Sequence, residues 1–111
     1  MVKPEDVFEY LAIGDTADFT EGRPKLIQVD ERPVAIIRVG ETLFAIEDMC
    51  PHRGGPLSEG TIEGATVTCP WHKAAFDLRT GASTDAGSAK SIQTFRVSIQ
   101  GTEAFLELPI A

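Results

Sequence analysis

The chain has 111 residues, of which 42% are hydrophobic, a length and composition that fit one globular domain and exclude a disordered chain. Its formal net charge of −7 excludes nucleic acid as the main partner, because phosphate binding requires clustered Lys and Arg, and we expect this charge to keep the protein monomeric. No apolar run is long enough to span a bilayer and the acidic N-terminus does not resemble a signal peptide, so the sequence predicts a cytoplasmic protein without a membrane partner.

Turn signals at short intervals separate a series of β-like runs. The first run is ambiguous, because Pro4 to Ala12 begins like a helix, but a strand through Phe8 to Ile13 is favoured. In TFRVSIQ, Phe95, Val97 and Ile99 alternate with polar residues, which indicates one buried face. The strands predicted after the first run are Lys25 to Val29, Val34 to Val39, Leu43 to Glu47, Thr66 to Thr68, Ala74 to Leu78, Thr94 to Gln100 and Ala104 to Leu108. Short strands with turns about every eight to twelve residues favour an all-β sandwich or barrel, formed by residues 1–111 as a single domain.

All the cysteines and histidines of the chain lie in two short segments, CPHRGG and CPWHKA. The segments present Cys50-x-His52 and, after sixteen intervening residues, Cys69-x-x-His72. Three interpretations are open: a tetrahedral zinc, an iron–sulfur cluster, or no metal and a disulfide. A disulfide is disfavoured in a cytosolic chain and leaves both histidines unexplained. Zinc motifs usually open with two cysteines and close with two histidines, whereas a mixed pair in each segment suits a centre with two metal atoms.

The two segments, extended to CPHRGGPLSEG and CPWHKAAFDLRTG, resemble the cluster-binding loops of Rieske [2Fe–2S] proteins. The resemblance continues through RPVAIIRVGETLFAIEDMC and FRVSIQGTEAFLEL, and thus covers most of the chain from about Lys25 onward. It implies a Rieske fold of antiparallel sheets with a small cluster-binding subdomain at about residues 48–78. It also implies one [2Fe–2S] cluster, with Cys50 and Cys69 on one iron and His52 and His72 on the other. Two thiolates instead of four leave the oxidised centre neutral, which raises its reduction potential above that of plant-type ferredoxins.

Departures from the high-potential class of Rieske proteins indicate a low-potential member. That class has an additional cysteine in each loop, joined in a disulfide, at the positions held here by Gly55 and Trp71. It also has a serine and a tyrosine that donate hydrogen bonds to sulfur, at the positions held here by Ala74 and Phe76. The absence of both donors disfavours the extra negative charge of the reduced state and lowers the potential. Trp71 is expected to shield the cluster from water.

The resemblance implies a stand-alone Rieske ferredoxin, an electron carrier rather than an enzyme. In the family, such carriers accept electrons from a flavin-dependent reductase and pass them, through transient contacts, to the terminal oxygenase of a ring-hydroxylating dioxygenase-like system. With both histidines used as cluster ligands, none remains for a mononuclear iron site. Arg53 and Lys73 directly follow the ligand histidines and either orient docking or are solvated side chains without a role.

Two other functions remain open. One is the small Rieske subunit of a multi-subunit reductase such as assimilatory nitrite reductase. The other is a structural zinc-binding interaction module. A complete set of four ligands favours a working cluster over both.

Overall fold

The computed structural model describes residues 8–51, 55–71, 74–84 and 91–109. These residues form two antiparallel β-sheets, with short 3-10 helices at Thr16–Asp18 and Leu57–Glu59. The strands are β1 (Phe8–Asp15), β2 (Lys25–Val29), β3 (Arg32–Val39), β4 (Thr42–Glu47), β5 (Thr61–Glu63), β6 (Thr66–Thr68), β7 (Ala75–Asp77), β8 (Thr94–Gln100) and β9 (Glu103–Pro109). Within the described ranges, no helix has the length and apolar character needed to cross a bilayer.

The all-β prediction is confirmed, and the ambiguous first element is a strand from Phe8 onward. Strands β2, β6 and β8 have the predicted bounds, whereas β3, β4, β7 and β9 differ from prediction by one or two residues at an end. Strand β5 was missed, because its three residues lie between the turn signals Glu59-Gly60 and Glu63-Gly64. The predicted buried face of β8 is only partly correct: Phe95 and Val97 are half-buried, but Ile99, next to the closing turn, is exposed.

The larger sheet has the strand order β1-β9-β8-β4-β3-β2, and the smaller sheet has the order β5-β6-β7. Strand β3 is buried on both faces, which explains its continuous apolar run VAII. Its residues alternate between two hydrophobic clusters: Val34 and Ile36 belong to the first, and Ala35 and Ile37 belong to the second. The first cluster also contains residues of β1 and β9, and the second contains residues of the smaller sheet and both cysteines. We name the second one the cysteine core.

The two cysteines of the cysteine core follow strands of different sheets, β4 of the larger sheet and β6 of the smaller sheet. Cys50 follows the end of β4 by three residues, and Cys69 directly follows β6. Both cysteines and the whole small sheet lie within the range 48–78 predicted for the cluster-binding subdomain. That this range behaves as a separate subdomain stays a prediction.

Candidate metal centre

Cys50 and Cys69 lie in one core although they are far apart in the sequence. Each is 1% exposed, and both pack in the cysteine core with Leu57, Val67 and Phe76. Their sulfur atoms are not joined by a disulfide. The structure therefore brings together two of the four predicted ligands, and His52 and His72 lie outside the described residues.

Each cysteine closes the base of its loop with the same backbone hydrogen bond. The N–H of Cys50 donates to the carbonyl of Gly55 at 2.9 Å, and the N–H of Cys69 donates to the carbonyl of Ala74 at 2.7 Å. In both loops the acceptor stands five residues after the donor, so the two closures match in span. Each closure encloses one of the predicted ligand histidines in sequence.

The two loops touch each other at Gly55. An ideal Cβ atom at this residue would lie 3.1 Å from Sγ of Cys69 and 3.0 Å from Cδ2 of Trp71. At such distances a side chain would fit only if the indole or the sulfur moved by a few tenths of an ångström. The resemblance to Rieske proteins pairs these two positions, since the high-potential class joins them in a disulfide, and in this structure Gly55 and Trp71 are in contact.

Asp48 supports the first loop, and sequence reasoning missed it. Its side chain is buried, and one carboxylate oxygen accepts a hydrogen bond from the N–H of Ser58 at 2.5 Å. Its backbone carbonyl accepts from Leu57 at 3.4 Å, and its N–H donates to the carbonyl of Pro33 at 3.0 Å. Asp48 therefore ties the segment that returns from the first loop to the beginning of β3. The only available signal was an acidic residue at the end of an apolar strand, where burial requires a hydrogen-bonding partner.

Two large apolar side chains beside the cysteines are exposed. Met49, which precedes Cys50, is 53% exposed, and Trp71, two residues after Cys69, is 58% exposed. Trp71 was predicted to shield the cluster, and its indole covers Gly55 while presenting much of its surface to solvent. Exposed Met and Trp side chains are enriched where proteins contact each other.

The turn that follows β7 contains the only described salt bridge, which joins Asp77 and Arg79 at 3.2 Å. Hydrogen bonds from the side chain and N–H of Arg79 hold the pKa of the Asp77 carboxyl below its ordinary value. The stabilising effect of a lowered carboxyl pKa is present above the unfolded-state pKa and is lost as the pH falls through the folded-state pKa. The pair is exposed, so it contributes little to stability, and its role is to shape the turn.

The donor set fits a [2Fe–2S] cluster of the mixed-ligand type. Two buried thiols come from separate loops, share one core and form no disulfide. Glycine at position 55 lets the backbone lie close to the sulfur of Cys69, where a side chain would make a tight contact. This end of the molecule therefore holds two thiol groups together in an apolar core.

Comparisons with known proteins identify the family of the chain. The family model of the Rieske [2Fe-2S] domain matches residues 9–96. The chain is 38% identical over 97 residues to the 3-phenylpropionate/cinnamic acid dioxygenase ferredoxin subunit of Shigella boydii serotype 4 (strain Sb227), covering 86% of this chain and 90% of that protein. It is 35% identical over 91 residues to the anthranilate 1,2-dioxygenase ferredoxin subunit of Burkholderia cepacia, covering 82% and 84% respectively. Among solved structures, a chain of the complex of reduced oxygenase and oxidized ferredoxin in carbazole 1,9a-dioxygenase has a TM-score of 0.79 and 31% identity, covering 86% of this chain and 99% of that one.

Proposed function

The chain belongs to the Rieske [2Fe–2S] domain family, and we propose that it serves as the ferredoxin of a ring-hydroxylating dioxygenase-like system, with Cys50 and Cys69 on one iron and His52 and His72 on the other. When bound, a Rieske cluster accepts and releases one electron at a time. The observation that carries the proposal is the burial of both thiols in one core, each at the base of a loop closed by its own backbone hydrogen bond. The protein is an electron carrier and has no catalytic site of its own.

The partners follow from the same family. A terminal oxygenase is the electron acceptor, as in the ferredoxin–oxygenase complex to which the fold is similar. We infer that a flavin-dependent reductase is the donor, that contacts with both partners are transient, and that the carrier is a monomer. A cytoplasmic location is proposed as well, as the sequence predicts. The role as a nitrite reductase subunit is less well supported, because the curated relatives described above are dioxygenase ferredoxin subunits.

Spectroscopy of the purified protein tests the proposed cofactor. We expect a red-brown protein with two irons per chain, whose colour bleaches with dithionite and whose EPR signal arises on reduction. Replacement of either His52 or His72 by alanine is expected to remove this signal. A colourless protein that contains one zinc per chain would show that the zinc interpretation is correct instead.

The exposed apolar side chain of Met49 is expected to take part in docking. Met49→Glu should lower kcat/KM for reduction by a flavin-dependent ferredoxin reductase about tenfold, because a carboxylate would lose its hydration in an apolar contact. Ile99→Glu is the matched control, since Ile99 is 46% exposed and the substitution changes the net charge equally. Ile99 lies five residues along β8 from Thr94, which pairs with Ile46, and is therefore at the end of the sheet remote from Cys50. An equal loss of kcat/KM in both variants would contradict docking at Met49.

The part played by Arg53 and Lys73 in docking stays a prediction, because both residues lie outside the described residues.

Hydroxyl groups near Cys69 should raise the reduction potential. Ala74 is buried, and its carbonyl already accepts the N–H of Cys69, while Phe76 is fully buried in the same core. We expect Ala74→Ser and Phe76→Tyr each to raise the midpoint potential, because a donor on sulfur stabilises the reduced state. Protein-film voltammetry measures the shift. Ala75→Ser is the control, since Ala75 lies on β7 between the two positions and its side chain points to the opposite face. If neither Ala74→Ser nor Phe76→Tyr raised the midpoint potential, the hydrogen-bond argument would be contradicted.

A further inference from the structure

We propose that Gly55 and Trp71 form a noncovalent clasp between the two cysteine loops, and that this clasp controls how long the cluster stays bound. The inference rests on the ligand set proposed above and assigns a role to two residues that are not ligands. Gly55 and Trp71 belong to different loops, and each is close to a cysteine in sequence or in space. A contact between them therefore fixes the separation of the two thiols.

Gly55 contacts both loops at once. Its carbonyl accepts the N–H of Cys50 at 2.9 Å, which anchors it to the first loop. On its other side, the position of a Cβ atom lies 3.1 Å from Sγ of Cys69 and 3.0 to 3.1 Å from two indole carbons of Trp71. The backbone of Gly55 is not in the left-handed region, so glycine is favoured here for space and not for conformation. A methyl group would push apart the indole, the sulfur or both.

Trp71 supplies the other half of the clasp. Its indole packs over buried Gly55 with one side, although 58% of the residue is exposed. An indole buries a large apolar area in such a contact, and it thereby holds the second loop against the first. The sulfur of Cys69, against the same glycine, is nearly inaccessible to solvent. Opening the contact would expose the Cys69 side of the cluster to water and to competing ligands.

The rate of cluster loss tests the clasp. Holoprotein is mixed with an excess of an iron chelator without oxygen, and the decay of visible absorption gives a first-order rate constant. Trp71→Ala and Gly55→Ala are each expected to lose the cluster about tenfold faster than wild type, by loss of packing and by overpacking respectively. Trp71→Phe, which keeps an aromatic ring, should restore most of the wild-type lifetime. Gly64→Ala is the control, because a Cβ atom at Gly64 meets no atom within 4 Å, and its cluster should decay at the wild-type rate.

Two further readouts separate a clasp from general loss of stability. In the double variant Gly55→Ala/Trp71→Ala the two effects on the decay rate should combine to less than their product, since the indole contact is already absent and only the contact of the new methyl group with Sγ of Cys69 remains. Trp71 is the only tryptophan of the chain, so its fluorescence emission reports its environment directly and should move to longer wavelength in Gly55→Ala.

The outcomes distinguish the clasp from the proposed function. If wild type carries the [2Fe–2S] signal but Trp71→Ala loses it at the wild-type rate, the clasp is wrong and the ligand set stands. If wild type carries no such signal, the ligand set is wrong and the clasp falls with it. Trp71 is largely exposed, so its alanine variant is expected to fold even if Gly55→Ala does not.

Discussion

Replacement of Cys69 by alanine is expected to give a folded protein that contains no [2Fe–2S] cluster. The chain has only two cysteines, so no other thiolate can replace the lost ligand. The side chain is small and lies at the end of β6, and its loss removes little of the apolar contact in the cysteine core. Iron content, visible absorption and the EPR spectrum after dithionite reduction measure the outcome. We expect each of these signals to fall to the background level.

Val67→Ala is the matched control for the cysteine variant. Val67 is fully buried in the same core, on the strand that Cys69 directly follows, and its truncation also leaves a small cavity. It should cost about 2 kcal/mol of unfolding free energy and still permit cluster assembly. If Cys69→Ala kept its iron, the thiol would not be a ligand. If Val67→Ala lost the cluster to the same extent, packing rather than ligation would explain the result.

The ligand motif and most strands could be predicted from the sequence because their signals are local. Cys50 and Cys69 stand out by type and spacing within segments of a few residues. Strands β2, β6 and β8 have turn signals nearby, and the apolar run Val34 to Ile37 indicates a strand at β3. None of these inferences requires knowledge of which distant residues meet.

Other features depend on contacts between residues that are distant in the sequence. The part played by Asp48 becomes visible only when Ser58 lies against its carboxylate. The contact of Gly55 with Trp71 cannot be inferred from either loop alone, and only the resemblance to the high-potential class pairs the two positions. These are the two positions at which the high-potential class has its disulfide, so packing in this chain joins the loops where that class uses a covalent bond.

Replacement of Gly60 by alanine is expected to destabilise the protein more than a change at any glycine with an open environment. Gly60 ends the 3-10 helix Leu57–Glu59 with a φ of −81°, a conformation that alanine adopts readily. The obstacle is steric: a Cβ atom would lie 2.0 Å from the carbonyl oxygen of Thr68 and 3.2 Å from that of Leu57. Both neighbours are backbone atoms, so no rotation of a side chain can relieve the overlap. We expect a loss of about 3 kcal/mol or more, against a total stability on the order of 5–15 kcal/mol.

The site of this overlap links stability to the metal centre, because Thr68 directly precedes Cys69 and Gly60 closes the segment that returns from the first loop. Gly60→Ala should therefore reduce iron content as well as the midpoint of urea unfolding. Gly64→Ala is the control, since Gly64 has a φ of +56° and open space around it, and strain alone should cost about 1 kcal/mol there. We expect Gly60→Ala to lose more unfolding free energy than Gly64→Ala, although Gly60 has the ordinary backbone angle. This order would show that steric overlap costs more than conformational strain. Equal losses in the two variants, or full iron content in Gly60→Ala, would mean that the return segment and the second loop can move apart without disturbing the cysteines.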